Sequence, residues 1–250
     1  MKNDNEVIEI YRVPKIAVFD IEVSNLNADF GHMIAGCWKF LDENKVEVRS
    51  IVDSPTFLDD PTDDRWVVEE MAKGLLNADV LFGWYSTRFD MPYINTKLLK
   101  YGMQVLPGIP HIDGWRVAKY KMKLTNNRLA TVLGYLELSD KTPLDKSVWV
   151  KAIGGHRESI KYVVDHCVQD VLSTEQAYYK LRPLMHNHPN VNLTTGKTEA
   201  CPTCGAVGSL TKQGIRFRIA RTRRYQRYLC KECGSWSHGK ATNVNDIHIS

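Results

Sequence analysis

The chain has 250 residues, 43% of them hydrophobic and 25% charged. That balance excludes a wholly disordered protein and leaves room for one large domain, or a medium one with a small one. The net charge of +4 is unevenly spread: residues 186–250 hold ten Lys/Arg against three acids, and the eight basic residues from Lys212 to Lys231 have no acid among them. Residues 1–185 are mildly acidic, and the basic end suits a polyanion partner. No apolar run nears the roughly 18 residues of a membrane span. The opening MKNDNEVIEIYRVPKIAVFD lacks the basic-then-apolar pattern of a secretory leader, so the chain is expected in a reducing cytoplasm, where structural disulfides are rare.

In chain order, PKIAVFDIEVS predicts a strand, and MIAGCWKF and KVEVRSIV two more that pair as a meander. Residues 64–77 carry Trp66, Val67, Met71, Leu75 and Leu76 at helical spacing, with Asp63 or Asp64 as N-cap. ADVLFGWYS reads as a buried strand, MPYINTKLLKYGM as a helix ended by Gly102, HIDGW as a fifth strand and NRLATVLGYLEL as a helix. Residues 156–185 form the longest helical pattern. The order implies an α/β fold, a mixed sheet flanked by helices, over 1–185. The polar stretch 186–200 reads as a linker, 201–240 as a separate small module and 241–250 as a tail.

Asp20 and Glu22 stand at i and i+2 on the first strand, so both side chains leave the same face of the sheet. Two neighbouring carboxylates are costly to bury unless a cation neutralises them, and hard oxygen donors suit Mg²⁺ or Mn²⁺. A solvated strand face explains the pair as readily. Asp90 falls on the first turn of a helix, where an acid also suits the macrodipole, and Asp170 lies within the long C-terminal helix.

Taken in order, FDIEVS, GWYSTRFDMPYI and the Asp170 helix resemble the three motifs of the DEDD 3′–5′ exonucleases of the RNase H-like superfamily. Within that group the likeness is to the proofreading exonuclease domain of family B DNA polymerases and to their stand-alone relatives. Asp20 and Glu22 match the first motif; Gly83, Phe89, Asp90, Pro92 and Tyr93 the second; Asp170 the third. HIDGWRVAKY resembles the stretch joining motifs two and three. The resemblance spans about residues 14–183 and implies that Asp20, Glu22, Asp90 and Asp170 hold two Mg²⁺ or Mn²⁺ about 4 Å apart. One ion would lower the pKa of a water and the other would stabilise the departing 3′-oxygen, releasing 5′-mononucleotides.

The chain departs from that pattern twice. Relatives carry a Tyr four residues before the last Asp or a His five before it; here those places hold His166 and Asp165, and His166 shares a helix face with Asp170. It would serve as general base near neutral pH, or else pack or cap. Tyr85 occupies the place of a substrate-side Asn and would stack on a base or fill the core; Trp84 and Phe89 are further candidate substrate contacts.

Of six cysteines, Cys37 and Cys167 fall inside predicted elements as small core residues. The other four form Cys201-x-x-Cys204 and Cys230-x-x-Cys233, the pattern of a tetrahedral zinc site. The segment resembles a zinc ribbon, whose small core would depend on one structural Zn²⁺. Between the pairs, Ile215, Phe217 and Ile219 alternate with Arg216, Arg218 and Ala220, and the return arm carries Arg223, Arg224, Tyr225, Arg227 and Tyr228. With Arg221, these arginines suit phosphates and Tyr225 suits unpaired bases. A solvated face, or docking on the acidic domain, would use the same residues.

The expected function is therefore a metal-dependent 3′–5′ exonuclease acting on single-stranded DNA, with a basic ribbon that grips nucleic acid. The alternatives are an RNA exonuclease, a structure-specific endonuclease, or an inactive zinc-ribbon nucleic-acid-binding protein. A free-standing nuclease of this size would suit a phage acting in host cytoplasm.

Overall fold

The computed structural model describes residues 14–41, 43–138, 145–220 and 223–243; the side chains of 194, 214–220, 223, 224 and 241–243 fall outside that description. The described residues fall into two compact units, Lys15–Leu181 and one beginning at Arg182. No described helix is long and apolar enough to cross a membrane.

In the first unit the elements run β1 (Ile16–Val23), β2 (Met33–Phe40), β3 (Glu47–Ser50), α1 (Arg65–Leu75), β4 (Val80–Gly83), α2 (Asp90–Lys100), β5 (His111–Asp113), α3 (Gly114–Lys121), α4 (Leu129–Tyr135), α5 (Lys146–Ile153) and α6 (Arg157–Leu181). The strands form one sheet in the order β3-β2-β1-β4-β5. β1 pairs antiparallel with β2 and parallel with β4, so it lies where the sheet changes direction. This is the mixed, helix-flanked α/β architecture that the sequence led one to expect. HIDGW divides: His111–Asp113 is the fifth strand, while Gly114 and Trp115 already open α3. α5 had no counterpart in the sequence reading.

The two faces of β1 go to different helices. Ile21 stands opposite Gly36, and a Cβ on Gly36 would lie 2.8 Å from Met71 Sδ, so that face packs on α1. Asp20 and Glu22 face α6, where Cys167 Sγ lies 3.8 Å from Asp20 Oδ2. α6 buries Ile160, Val163, Cys167, Val171, Tyr178 and Leu181 at helical spacing, each worth roughly 1.5–3 kcal/mol for the larger aliphatics. Lys39 of β2 donates to Glu175 of the same helix at 2.5 Å.

Of the two expected N-caps, Asp64 occupies the N-cap position of α1 but does not cap it through its side chain. Asp63 Oδ1 accepts the Arg65 N–H at 3.2 Å. Asp64 is buried instead, accepting from Met33 N at 2.7 Å and from the Tyr101 hydroxyl, and lying 3.1 Å from Lys97 Nζ. Lys97 also donates to the Gly31 carbonyl.

The second unit contains α7 (Asn192–Thr195), inside the stretch read as a linker, and β6 (Leu210–Ala220), β7 (Arg223–Cys230) and β8 (Trp236–Asn243). These strands form an antiparallel sheet in the order β6-β7-β8. The expected hairpin is β6–β7; β8 adds a third strand. Its sequence WSHGKATN lacks the apolar alternation that marks a strand.

Candidate active site

The chemistry-bearing side chains gather around the C-terminal half of β1. In parallel sheets this is the end at which ligands bind, beside a change of strand order. The ladder slips between Glu22 and Val23, and such bulges re-aim side chains next to sites. Across from it, His166 and Asp170 share one face of α6. His166 Nε2 lies 3.8 Å from Asp170 Oδ2 and 4.0 Å from Glu22 Oε1. Ligand atoms of Glu22, His166 and Asp170 all fall within 4.8 Å of one another. All three are largely buried, at 14%, 8% and 7% side-chain exposure.

The other two predicted carboxylates stand beside this cluster and outside it. Asp20 faces Cys167, whose thiol donates to the Asp20 carbonyl at 3.5 Å; burial pushes that thiol up, keeping it a donor. Asp90, at the start of α2, accepts the Ile21 N–H at 3.2 Å. Burial raises its carboxyl to about 7, helped by the charge of Asp113, against the hydrogen bonds from the Asp90 and Ile21 backbone. A buried carboxylic acid of this kind gains its charge readily once a cation is near. The first place for a metal is therefore at Glu22 and Asp170, with His166 beside them, Asp20 one residue before Ile21 on β1, and Asp90 on the Ile21 N–H. Separations of 3.8 and 4.0 Å lie within twice the metal–ligand distance of about 2.1 Å for a small divalent ion.

The loop between β4 and α2 carries the second motif. A Cβ on Gly83 would lie 2.5 Å from Ser86 Oγ, so the close turn needs glycine. Tyr85 has φ +64°, a conformation that bulky residues rarely adopt. Asp113 holds it there. This buried residue accepts from Tyr85 N and Thr87 N, both at 3.1 Å, and from Thr87 Oγ1 at 2.6 Å. It also caps α3 through Arg116 N at 3.3 Å. Sequence reading passed over Asp113, although an acid before Gly-Trp at a helix start carries an N-cap signal. Of the candidate substrate aromatics, Tyr85 is exposed, with its ring against Trp115. Trp84 donates to the Asn127 carbonyl, and Phe89 packs on the core and Tyr93.

The cysteine centre has its own geometry. Cys201 and Cys233 Sγ lie 3.7 Å apart, Cys204 and Cys230 3.8 Å. Four sulfurs at about 2.3 Å from a tetrahedral zinc would be about 3.8 Å apart. Each pair sits on the same turn: Gly205 N donates to Cys201 O and Gly234 N to Cys230 O, with φ of +74° and +71°. Glycine adopts that left-handed backbone without cost. Ser209 Oγ stands 3.2 Å from Cys230 Sγ. Burial opposes charge on Cys230, yet the Ser209 hydroxyl and nearby backbone N–H groups outweigh it and bring the thiol down to about 7.

Of the basic hairpin, Arg227 is exposed and Tyr225 half-buried against His238, with ring centroids 5.1 Å apart. Arg221 lies outside the described residues, as do the side chains of Arg216, Arg218, Arg223 and Arg224.

A family model of the RNase H superfamily matches residues 17–182. Among solved structures, the fold is similar to the family B DNA polymerase from the hyperthermophilic archaeon Pyrobaculum calidifontis, with a TM-score of 0.55 and 14% identity. That likeness covers 84% of this chain and 32% of the polymerase chain, so the protein spans about a third of the polymerase's length. No curated protein matches the sequence. With two thirds of its length inside the family model and the sheet order and carboxylate site described above, the chain belongs to the RNase H superfamily.

Proposed function

We propose that the protein is a metal-dependent 3′–5′ exonuclease of single-stranded DNA. The observation that carries this reading is the meeting of Glu22, His166 and Asp170 within 4.8 Å, flanked by Asp20 and Asp90 at the end of β1. Asp20, Glu22, Asp90 and Asp170 would hold two Mg²⁺ or Mn²⁺, which when bound supply Lewis acidity to the phosphate and acidity to a water. His166 takes the proton of the attacking water at a ring nitrogen, or orients that water. The water oxygen bonds to phosphorus as the bond to the 3′-oxygen breaks; the 5′-mononucleotide leaves, and the 3′-oxygen of the shortened strand takes up a proton from solvent. The burial of the cluster excludes bulk water, which strengthens each charge interaction inside it.

Cys201, Cys204, Cys230 and Cys233 would hold one Zn²⁺, which when bound secures the fold of the small module. We assign residues 1–185 to the nuclease and 201–240 to a zinc ribbon that adds affinity for nucleic acid through Tyr225, Arg227 and the neighbouring arginines. Support comes from the sulfur spacing and the surplus of basic residues.

A 5′-labelled oligonucleotide incubated with the full chain and Mn²⁺ or Mg²⁺ tests the activity. Stepwise shortening from the 3′ end, abolished by chelation, is expected. Retardation of the oligonucleotide without shortening would mark a binding protein and sink the enzyme reading. Cuts in a circular single strand would mark an endonuclease, and preference for a matched RNA would reassign the substrate.

A further inference from the structure

A second surface of the nuclease unit has the chemistry of a strand-binding track. From Gly114 to Leu136 the chain holds five Lys/Arg and no acid, within a unit, Lys15–Leu181, of 20 Lys/Arg against 23 Asp/Glu. α3 opens this stretch. On it Trp115 meets the Tyr85 ring edge-on, with centroids 5.0 Å apart. Lys119 Nζ lies over the Trp115 ring at 4.6 Å and near the Tyr120 ring at 5.7 Å. Tyr120 is 65% exposed and Tyr85 39%, and Arg116 and Lys119 are also exposed. Large aromatic rings at the surface beside exposed positive charge are what sequence-tolerant single-strand binders present.

The backbone points to a purpose for the arrangement. Tyr85 is held with positive φ by Asp113, the residue that also caps α3. One buried carboxylate thus fixes both Tyr85 and the helix bearing Trp115. Five residues after Tyr85 comes Asp90, at the candidate active site. An adventitious surface aromatic needs no such support.

We propose that Tyr85, Trp115, Lys119 and Tyr120 form a stacking platform for the single-stranded DNA whose 3′ end enters the candidate active site. This rests on the nuclease reading for its direction, although binding itself does not require hydrolysis. The bases stack on Trp115 and Tyr120. Lys119, displaced from the ring face, pairs with the adjoining phosphate, and Arg116 meets the next.

The test uses the full chain with no Mg²⁺ or Mn²⁺ added, so that no strand is cut and the cysteine centre keeps its metal, and a 5′-fluorescein oligo(dT) 15-mer read by anisotropy. Trp115→Ala and Lys119→Glu are each expected to weaken binding about tenfold, and Trp115→Phe to retain most of it. Lys119→Gln should reduce the slope of log affinity against log salt by about 0.7. Lys119 is exposed, so its variants leave folding intact, and equal melting temperatures verify this for Trp115→Ala. Unchanged affinity and salt slope in the Lys119 variants overturn the platform. If wild type shortens the labelled strand in Mn²⁺ while those affinities are unchanged, the platform falls and the nuclease reading stands. If wild type does not shorten it but the variants lose affinity, the nuclease reading falls and the platform stands. Tighter binding of oligo(rU), with the same sensitivity to Trp115→Ala, overturns the choice of DNA.

Discussion

The Asp90 carboxylate accepts the backbone N–H of Ile21 at 3.2 Å. β4 pairs with β1 only along Ile16–Val18, so the edge of β1 beyond Val18 lacks a strand partner on that side. The first residue of α2 takes that place. A backbone donor is satisfied, and an acid is brought beside Asp20 and Glu22. The role is dual: Asp90 completes the sheet and offers a ligand.

The two roles separate by substitution. Asp90→Asn keeps an acceptor for Ile21 and replaces a group that burial holds up at about 7, so stability should stay within about 1 kcal/mol of wild type. Hydrolysis of a labelled oligonucleotide should nonetheless fall roughly 100-fold or more. Asp90→Ala leaves the N–H unpaired and should also cost about 1–3 kcal/mol in urea unfolding. Activity near wild type in Asp90→Asn would remove Asp90 from the chemistry.

His166 is the next test. Its Nε2 stands within the carboxylate cluster, 3.8 Å from Asp170. If it handles the proton of the attacking water, His166→Ala should lower kcat about 10²–10⁴-fold with little change in KM. A loss confined to KM would make it a substrate contact, and equal turnover would leave it a packing residue.

How much of this was legible depends on the range of the interaction. Asp20 and Glu22 declare a shared face because a strand repeats every two residues, and His166 and Asp170 do so because a helix brings i and i+4 together. The two C-x-x-C pairs mark out directly the four cysteines that the fold gathers. The Asp64–Lys97 pair joins residues 33 apart whose charges look ordinary in isolation, and only the fold buries them. Asp113 escaped for the same reason, since its partners Tyr85 and Thr87 lie 28 and 26 residues away. β8 was missed because Gly239 and its polar neighbours have no strand-like alternation, and pairing with β7 overrides local preference.

That buried ion pair makes a stability prediction. Lys97 and Asp64 are 1% and 0% exposed and 3.1 Å apart. Lys97→Met should cost about 3–5 kcal/mol, because it strands a buried charge. Urea unfolding with an unchanged m-value would report it. A cost under about 1 kcal/mol would mean that Asp64 is satisfied by Met33 and Tyr101 alone.

At the cysteine centre, about one zinc per chain should be released by a thiol-modifying reagent and detected with a chromogenic chelator. Cys230→Ser should abolish that release and speed amide exchange in β6–β8. Exchange within β1 and α6 should be unaltered. A metal-free wild type with slow exchange in those strands would contradict a structural metal.

The last prediction concerns pH. His111 is pushed down to about 4 by burial, partly countered by the charge of Asp113, and its Nε2 lies 2.9 Å from Ser86 Oγ. In the unfolded chain a histidine titrates near 6.5. Between about 4 and 6.5 the unfolded state therefore binds the proton and the folded state does not, so stability falls as the solution is acidified through that window. The loss approaches about 3 kcal/mol at the lower end. Asp90 works in the opposite sense: raised to about 7, it stabilises the folded state at low pH, and that contribution is lost as pH rises from the ordinary carboxyl range through about 7. The two partly cancel in wild type, so the informative quantity is the difference from His111→Gln, which keeps a polar group toward Ser86 and cannot titrate. The variant should gain on wild type steadily from pH 6.5 down to 4 in chemical denaturation, and a constant difference would show that His111 carries its proton in the folded protein.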